Sequence, residues 1–394
     1  MMARFTLLSL CFICSPLMAS EWSGNVSVEA QWFNHAPLFT GQSRNNLSLS
    51  ASPEYFTSWD NEKKSLTIEP FIRLDENDSE RSHFDIRELM FYSNHDSWEI
   101  KAGIGKVFWG VTESQHLVDI VNQTDLIESL DAEEKLGQPM INVSFIRDWG
   151  STDVFILPGF RTRTFPGKEG RLRTDPYISN NQEVYASSKE EKHIDYAARY
   201  NHTLDNWDIG LSYFYGTNRE PEFVSGTDGK GNPVLVPFYK LLHQGGLDLQ
   251  WVNEDWLWKL EAVHKRISGD SYNAYTFGFE YTLVGIAETD MDLGLISEYL
   301  YDTRGDLAST LFQRDIMLGA RLVFNDTQSS EILAGLILDP DSHEKLYSLE
   351  ASTRLTDNWK LNVEARIFSG LLPSSNFYSL RDDDFLQVEL LYYF

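Results

Sequence analysis

Carboxylates and guanidiniums gather in two neighbouring stretches of the chain. Asp119, Asp125, Glu128, Asp131, Glu133 and Glu134 fall within residues 110–139, and Arg161, Arg163, Lys168, Arg171 and Arg173 within residues 160–173. Fixed acids opposite fixed bases across a water-filled gap create a transverse field, which orients dipolar solutes and filters ions. On a solvated rim the same bases would instead meet anionic surfaces. Spacing alone leaves both placements open. A helix over residues 125–136 is expected, capped by Thr124 and ended by Gly137 and Pro139. Nothing else in the chain promises a reaction. Ser114, His116 and Asp119 lie close in sequence, but a nucleophile, its base and its orienter are recognised by geometry rather than proximity. The nine histidines are scattered without metal-ligand spacing. Residues 226–232 (GTDGKGN) carry too few acids for a calcium loop and read as a flexible turn. Neither a cofactor nor a catalytic residue is expected, and no metal site.

Groups like these need a scaffold with one wet and one apolar face, and the chain supplies it repeatedly. Trp207, Ile209, Leu211, Tyr213 and Tyr215 alternate with Asp208, Gly210, Ser212 and Phe214. Tyr275, Phe277, Phe279 and Tyr281 share a parity, as do Leu361, Val363, Ala365 and Ile367. Period-two alternation marks strands, and it recurs about every 20 residues from Trp22 onward. The opposite parity carries charges, among them Arg87, Lys101, Arg199, Glu280, Arg321 and Arg366. Short Asp/Asn-rich turns (for example 148–151, 204–206 and 253–255) take turns with long connections at 110–139, 160–192, 216–237 and 370–383. Trp98, Trp207, Trp256 and Trp359 follow short turns at once, as an interfacial aromatic girdle requires. The pattern predicts an all-β fold: a single transmembrane antiparallel up-and-down β-barrel of about 16–18 strands, with short periplasmic turns and long extracellular loops. At that size the lumen is expected to be aqueous.

Composition agrees. The formal net charge of −26 argues against nucleic acid as a partner. Residues 1–20, with Arg4 as their only charged side chain, an apolar run and Ala19-Ser20 at the end, read as a signal peptide, leaving 21–394 as the barrel. Both cysteines, Cys11 and Cys14, lie in that leader, so disulfides and thiolate metal sites are excluded from the mature chain.

The last residues, 384–394 (DFLQVELLYYF), place Leu386, Val388, Leu390, Tyr392 and Phe394 on one parity. This resembles the carboxy-terminal assembly signal of Gram-negative outer-membrane proteins, with Leu390, Tyr392 and Phe394 as the residues that carry it. Residues 84–125, about a tenth of the chain, resemble uncharacterised porin-like outer-membrane families: a strand, a tight turn, a strand ending in Trp-Gly, then an Asp-x-x-Asn-x-x-Asp loop. The acidic loop near a basic cluster is similar to the eyelet of diffusion porins. These resemblances imply a cell outer-membrane channel for passive diffusion or uptake of small hydrophilic solutes. The implied partners are outer-membrane lipid and lipopolysaccharide, the barrel-assembly machinery and a small-molecule solute, with homo-oligomerisation left open. Asp119, Asp125, Glu128 and Asp131 with Arg161, Arg163, Arg171 and Arg173 are the constriction candidates. An outer-membrane hydrolase or surface-binding barrel with a plugged lumen is the alternative. The Asn-His-x-Ser pattern of outer-membrane phospholipases is missing, since Thr203 and Leu204 follow Asn201-His202. Lumenal aromatics, such as Phe214 and Phe368, would point instead to a channel dedicated to one solute class.

Overall fold

The computed structural model describes residues 19–308, 312–375 and 377–394. The expected leader falls on residues that lie almost entirely outside these. In chain order the strands are β1 (Ala19–Phe33), β2 (Asn45–Trp59), β3 (Lys64–Asp75), β4 (His83–His95), β5 (Trp98–Gly105), β6 (Gln138–Arg147) and β7 (Gly150–Pro158). There follow β8 (Val184–Tyr185), β9 (Ile194–Leu204), β10 (Trp207–Thr217), β11 (Glu222–Thr227), β12 (Pro233–Tyr239), β13 (Leu241–Asn253) and β14 (Trp256–Ile267). The last are β15 (Asp270–Leu283), β16 (Asp292–Asp302), β17 (Arg314–Val323), β18 (Glu331–Leu338), β19 (Lys345–Arg354), β20 (Trp359–Ser369) and β21 (Phe385–Tyr393).

Eighteen of these strands form one sheet, and β8, β11 and β12 form a small separate one on the long loops. Each barrel strand is antiparallel to its neighbours, and β1 pairs with both β2 and β21. That last pairing, from Asn25↔Tyr393 to Phe33↔Phe385, closes the barrel. Closure removes the open edge that so apolar a terminal strand would otherwise expose. Leu390 and Tyr392 stand opposite Val28 and Val26 on the lipid-type face, and the Phe394 amide bonds the Gly24 carbonyl at 3.1 Å.

Expected turns and long connections fall where the strands leave room for them. At the short-turn end Trp98, Trp149, Trp207 and Trp359 face outward and exposed, and Trp207 stacks on Trp251 with ring centres 5.3 Å apart. A second set of exposed rings, including Tyr196 and Tyr213, girdles the long-loop end. Between them runs a band of Val, Leu, Ile and Phe, the surface a strand presents to hydrocarbon. Pro70 cannot donate to the ladder, yet β3 persists through it, with a bulge at Glu69/Pro70 that shifts its register on β4.

Two apolar patches interrupt the charged inner face. One joins Met140, Phe155, Leu157, Ala197, Phe214, Leu242, Val263 and Ala274, on strands β6 to β15. The other joins Ile296, Leu300 and Met317 with Leu333 and Ile337, on β16 to β18.

Candidate functional site

The connection from β5 to β6 turns into the lumen because the wall offers it both apolar surface and bonds. Val118, Ile120 and Val121, at most 3% exposed, pack into the first apolar patch. Burying three such side chains is worth about 1.5–3 kcal/mol each. Gly246 on β13 leaves room for the approach: a Cβ there would stand 3.3 Å from Val118 Cγ1.

Backbone amides of the loop then find carboxylates on the wall. Glu261 of β14 accepts from the Val111 amide at 2.6 Å, Thr112 at 2.9 Å and Val118 at 3.1 Å. Glu298 of β16 accepts from the Glu113 amide at 2.7 Å and from the Ser114 amide and hydroxyl at 2.9 and 2.5 Å. On the far side the loop's own acids meet wall arginines. Asp125 lies 2.7 Å from Arg87 of β4, Glu128 2.7 Å from Arg73 of β3, and Asp131 3.5 Å from Arg366 of β20. The loop is therefore strung across the barrel between opposite walls.

The expected helix over residues 125–136 does not form. Instead Thr124 and Lys135 make an isolated antiparallel bridge, the Asp125 amide bonds the Glu134 carbonyl, and Ala132 takes a left-handed φ of 67°. The acids face outward to separate wall arginines, and a regular helix would not deliver them to three strands at once.

The remaining candidates divide by place. Asp119 braces the loop, accepting from the Trp109 and Gly110 amides at 2.6 and 3.0 Å while its other oxygen pairs with Lys135. Arg161 reaches inward to Asp85 at 2.7 Å, and Arg163 Nε donates to Gln123 at 3.1 Å. Arg171 and Arg173 sit at the rim. Arg171 pairs with Asp383 at 2.7 Å and covers the Phe33 ring, and Arg173 donates to the Lys168 and Thr174 carbonyls and covers Phe39. Arg199 grips Asp248 through two bonds of 2.7 Å. Arg321 joins Glu113 and Glu331 at 2.7 and 2.8 Å, with Glu280 at 3.7 Å; Arg366 also holds Glu350 and Glu364.

Sequence reasoning missed Arg73, Glu29 and Arg81, which form one buried network: Glu29 lies 3.1 Å from Arg73 and 2.7 Å from Arg81. Arg73 alternates with the outward Ile72 and Leu74 of β3, the signal that could have found it.

His116, on the loop and outside the membrane-crossing strands, lies 2.6 Å from Glu133 and 3.8 Å from Glu261. Burial alone would lower its pKa, but the two carboxylates outweigh burial and push it up to about 10. Ser114 and His116 are thus each committed to a different carboxylate, and the Ser-His-Asp proximity does not become a triad.

The loop separates two chambers. Toward the short turns lies a cavity of about 490 Å³ lined by Lys101, Glu88, Asp153 and Arg199. Toward the long loops lies one of about 390 Å³ between the loop and strands β17 to β20.

A closed barrel with two aromatic girdles, an apolar belt and a charged interior crossed by a loop has the architecture of a transmembrane β-barrel. No family profile matches the chain, and no curated protein sequence does. Among solved structures the chain is similar to OmpT, an outer membrane protein of Vibrio cholerae in its trimer form, with 9% identity over 96% of this chain and 99% of that one and a TM-score of 0.49. It is also similar to mutants of the Rh. blastica porin, with 11% identity over 95% of this chain and all of the other and a TM-score of 0.46.

Proposed function

We propose that this protein is an outer-membrane channel through which small hydrophilic solutes cross passively, with the 106–137 loop as its constriction. The observation that carries the reading is the loop strung between Glu261 and Glu298 on one wall and Arg73, Arg87 and Arg366 on the other, with a chamber on each side. Charges at such close quarters tune which ions pass. The short turns would face the periplasm, residues 1–20 would act as the export leader cleaved after export, and Leu390, Tyr392 and Phe394 would serve assembly.

The direct pairing of Asp125 and Glu128 with wall arginines also supports a narrower variant. Such charges leave less transverse field than acids facing bases across open water, so the lumen would favour slow, selective passage over bulk diffusion. Planar-bilayer recording of the refolded protein tests the reading. Discrete current steps in potassium chloride are expected, and a folded, heat-modifiable barrel that gives no steps would overturn it in favour of a plugged surface-binding barrel.

A further inference from the structure

A lumen wetted throughout has no use for Leu and Ile on its inner face, yet β18 carries them on both. Ile332, Ala334 and Leu336 share the outer parity, while Leu333 and Ile337 share the inner one with Glu331, which pairs with Arg321. The first apolar patch of the wall is explained, because Val118, Ile120 and Val121 cover it. The second is not covered in that way. Together with Phe312, Leu346 and Phe368, its residues Met317, Leu333 and Ile337 line the chamber of about 390 Å³.

The opposite side of the same chamber is charged, and its ions are almost all spoken for. Lys135 holds Asp119, Arg366 holds Glu350, His116 meets Glu133, and Arg219 lies 2.6 Å from Asp195. Glu220 lies 3.3 Å from Lys265. Arg163 differs. Among the described residues its guanidinium donates to the neutral Gln123 amide oxygen and makes no ion pair within 4.0 Å, the Glu220 carboxylate acting on it only from farther away. A guanidinium offers a planar fork that matches a carboxylate, and it is most effective where water is scarce.

We propose that this chamber is a binding site for a small amphipathic carboxylate, its acid group on Arg163 and its compact aromatic or aliphatic body against Met317, Leu333, Ile337, Leu346 and Phe368. The inference rests on the channel reading and narrows its solute class. Apolar burial supplies affinity, and the charge contact fixes orientation.

Calorimetric titration of the full barrel in lipid nanodiscs tests it, with 3-phenylpropionate, its neutral amide and acetate as probes. Saturable binding of 3-phenylpropionate is expected, weaker by roughly tenfold or more for the amide, which lacks the ion pair, and absent for acetate, which lacks the body. Arg163→Gln should erase the preference for acid over amide, and Arg163→Lys should restore part of it. Ile337→Asn, which removes the apolar surface without adding a charge, should weaken acid and amide alike. The heat-modifiable gel shift shows that each variant is folded. Equal binding of acid and amide, or no saturable binding of either, overturns the proposal. Current steps without acid binding would sink this inference and leave the channel standing; acid binding without steps would do the reverse.

Discussion

His116 shows what one residue does inside this barrel. Its pKa of about 10 lies above the ordinary 6.5, so the protonated ring is favoured in the folded protein. The stability it lends is fully present below about 6.5, declines as pH rises, and is lost once pH passes about 10. Raising the pH through 10 should therefore loosen His116 from Glu133 on its own loop and from Glu261 on the wall. Fluorescence of Trp109, a buried residue of the same loop, should report a transition near that pH that His116→Gln abolishes; identical titrations of the two proteins would contradict it. The charges on the inner parity of the strands were legible in the sequence, because alternation separates faces without reference to the fold. The partners were not. Nothing in the spacing says that Asp125 meets Arg87 or that Glu261 accepts three amides, since these contacts join residues tens to more than a hundred positions apart.

At the scale of elements, the loop is held by bonds that are individually replaceable and collectively decisive. Arg87 pairs with Asp85 as well as Asp125. Arg87→Ala should leave the buried Asp125 carboxylate uncompensated, while Asp85 keeps Arg161, at a cost of about 3–5 kcal/mol to the docked loop. Adding Asp125→Ala should recover part of that loss, because it removes the stranded charge. Hydrogen exchange of amides in 106–137 measures both; equal exchange in Arg87→Ala and wild type would refute the latch. Strands, turns and long connections could be read from period and turn chemistry. The helix expected at 125–136 could not be corrected from sequence, because what unwinds it is the position of arginines on β3, β4 and β20. The small β8, β11 and β12 sheet escaped for a related reason. Its strands of 2, 6 and 7 residues carry little alternation of their own.

At the scale of the molecule, closure onto β1 removes the open edge on which Leu386 and Leu390 of β21 would be hazardous. The apolar outer belt meets lipid, and the polar interior is left to water, ion pairs and one crossing loop. The most direct test of the crossing loop as a constriction is single-channel conductance of wild type beside Glu261→Ala/Glu298→Ala, which deletes the acceptors anchoring the loop to one wall. Larger steps and altered ion selectivity in the double variant are predicted. Steps of unchanged size and selectivity would contradict the account, for the loop would then not govern the path through the barrel.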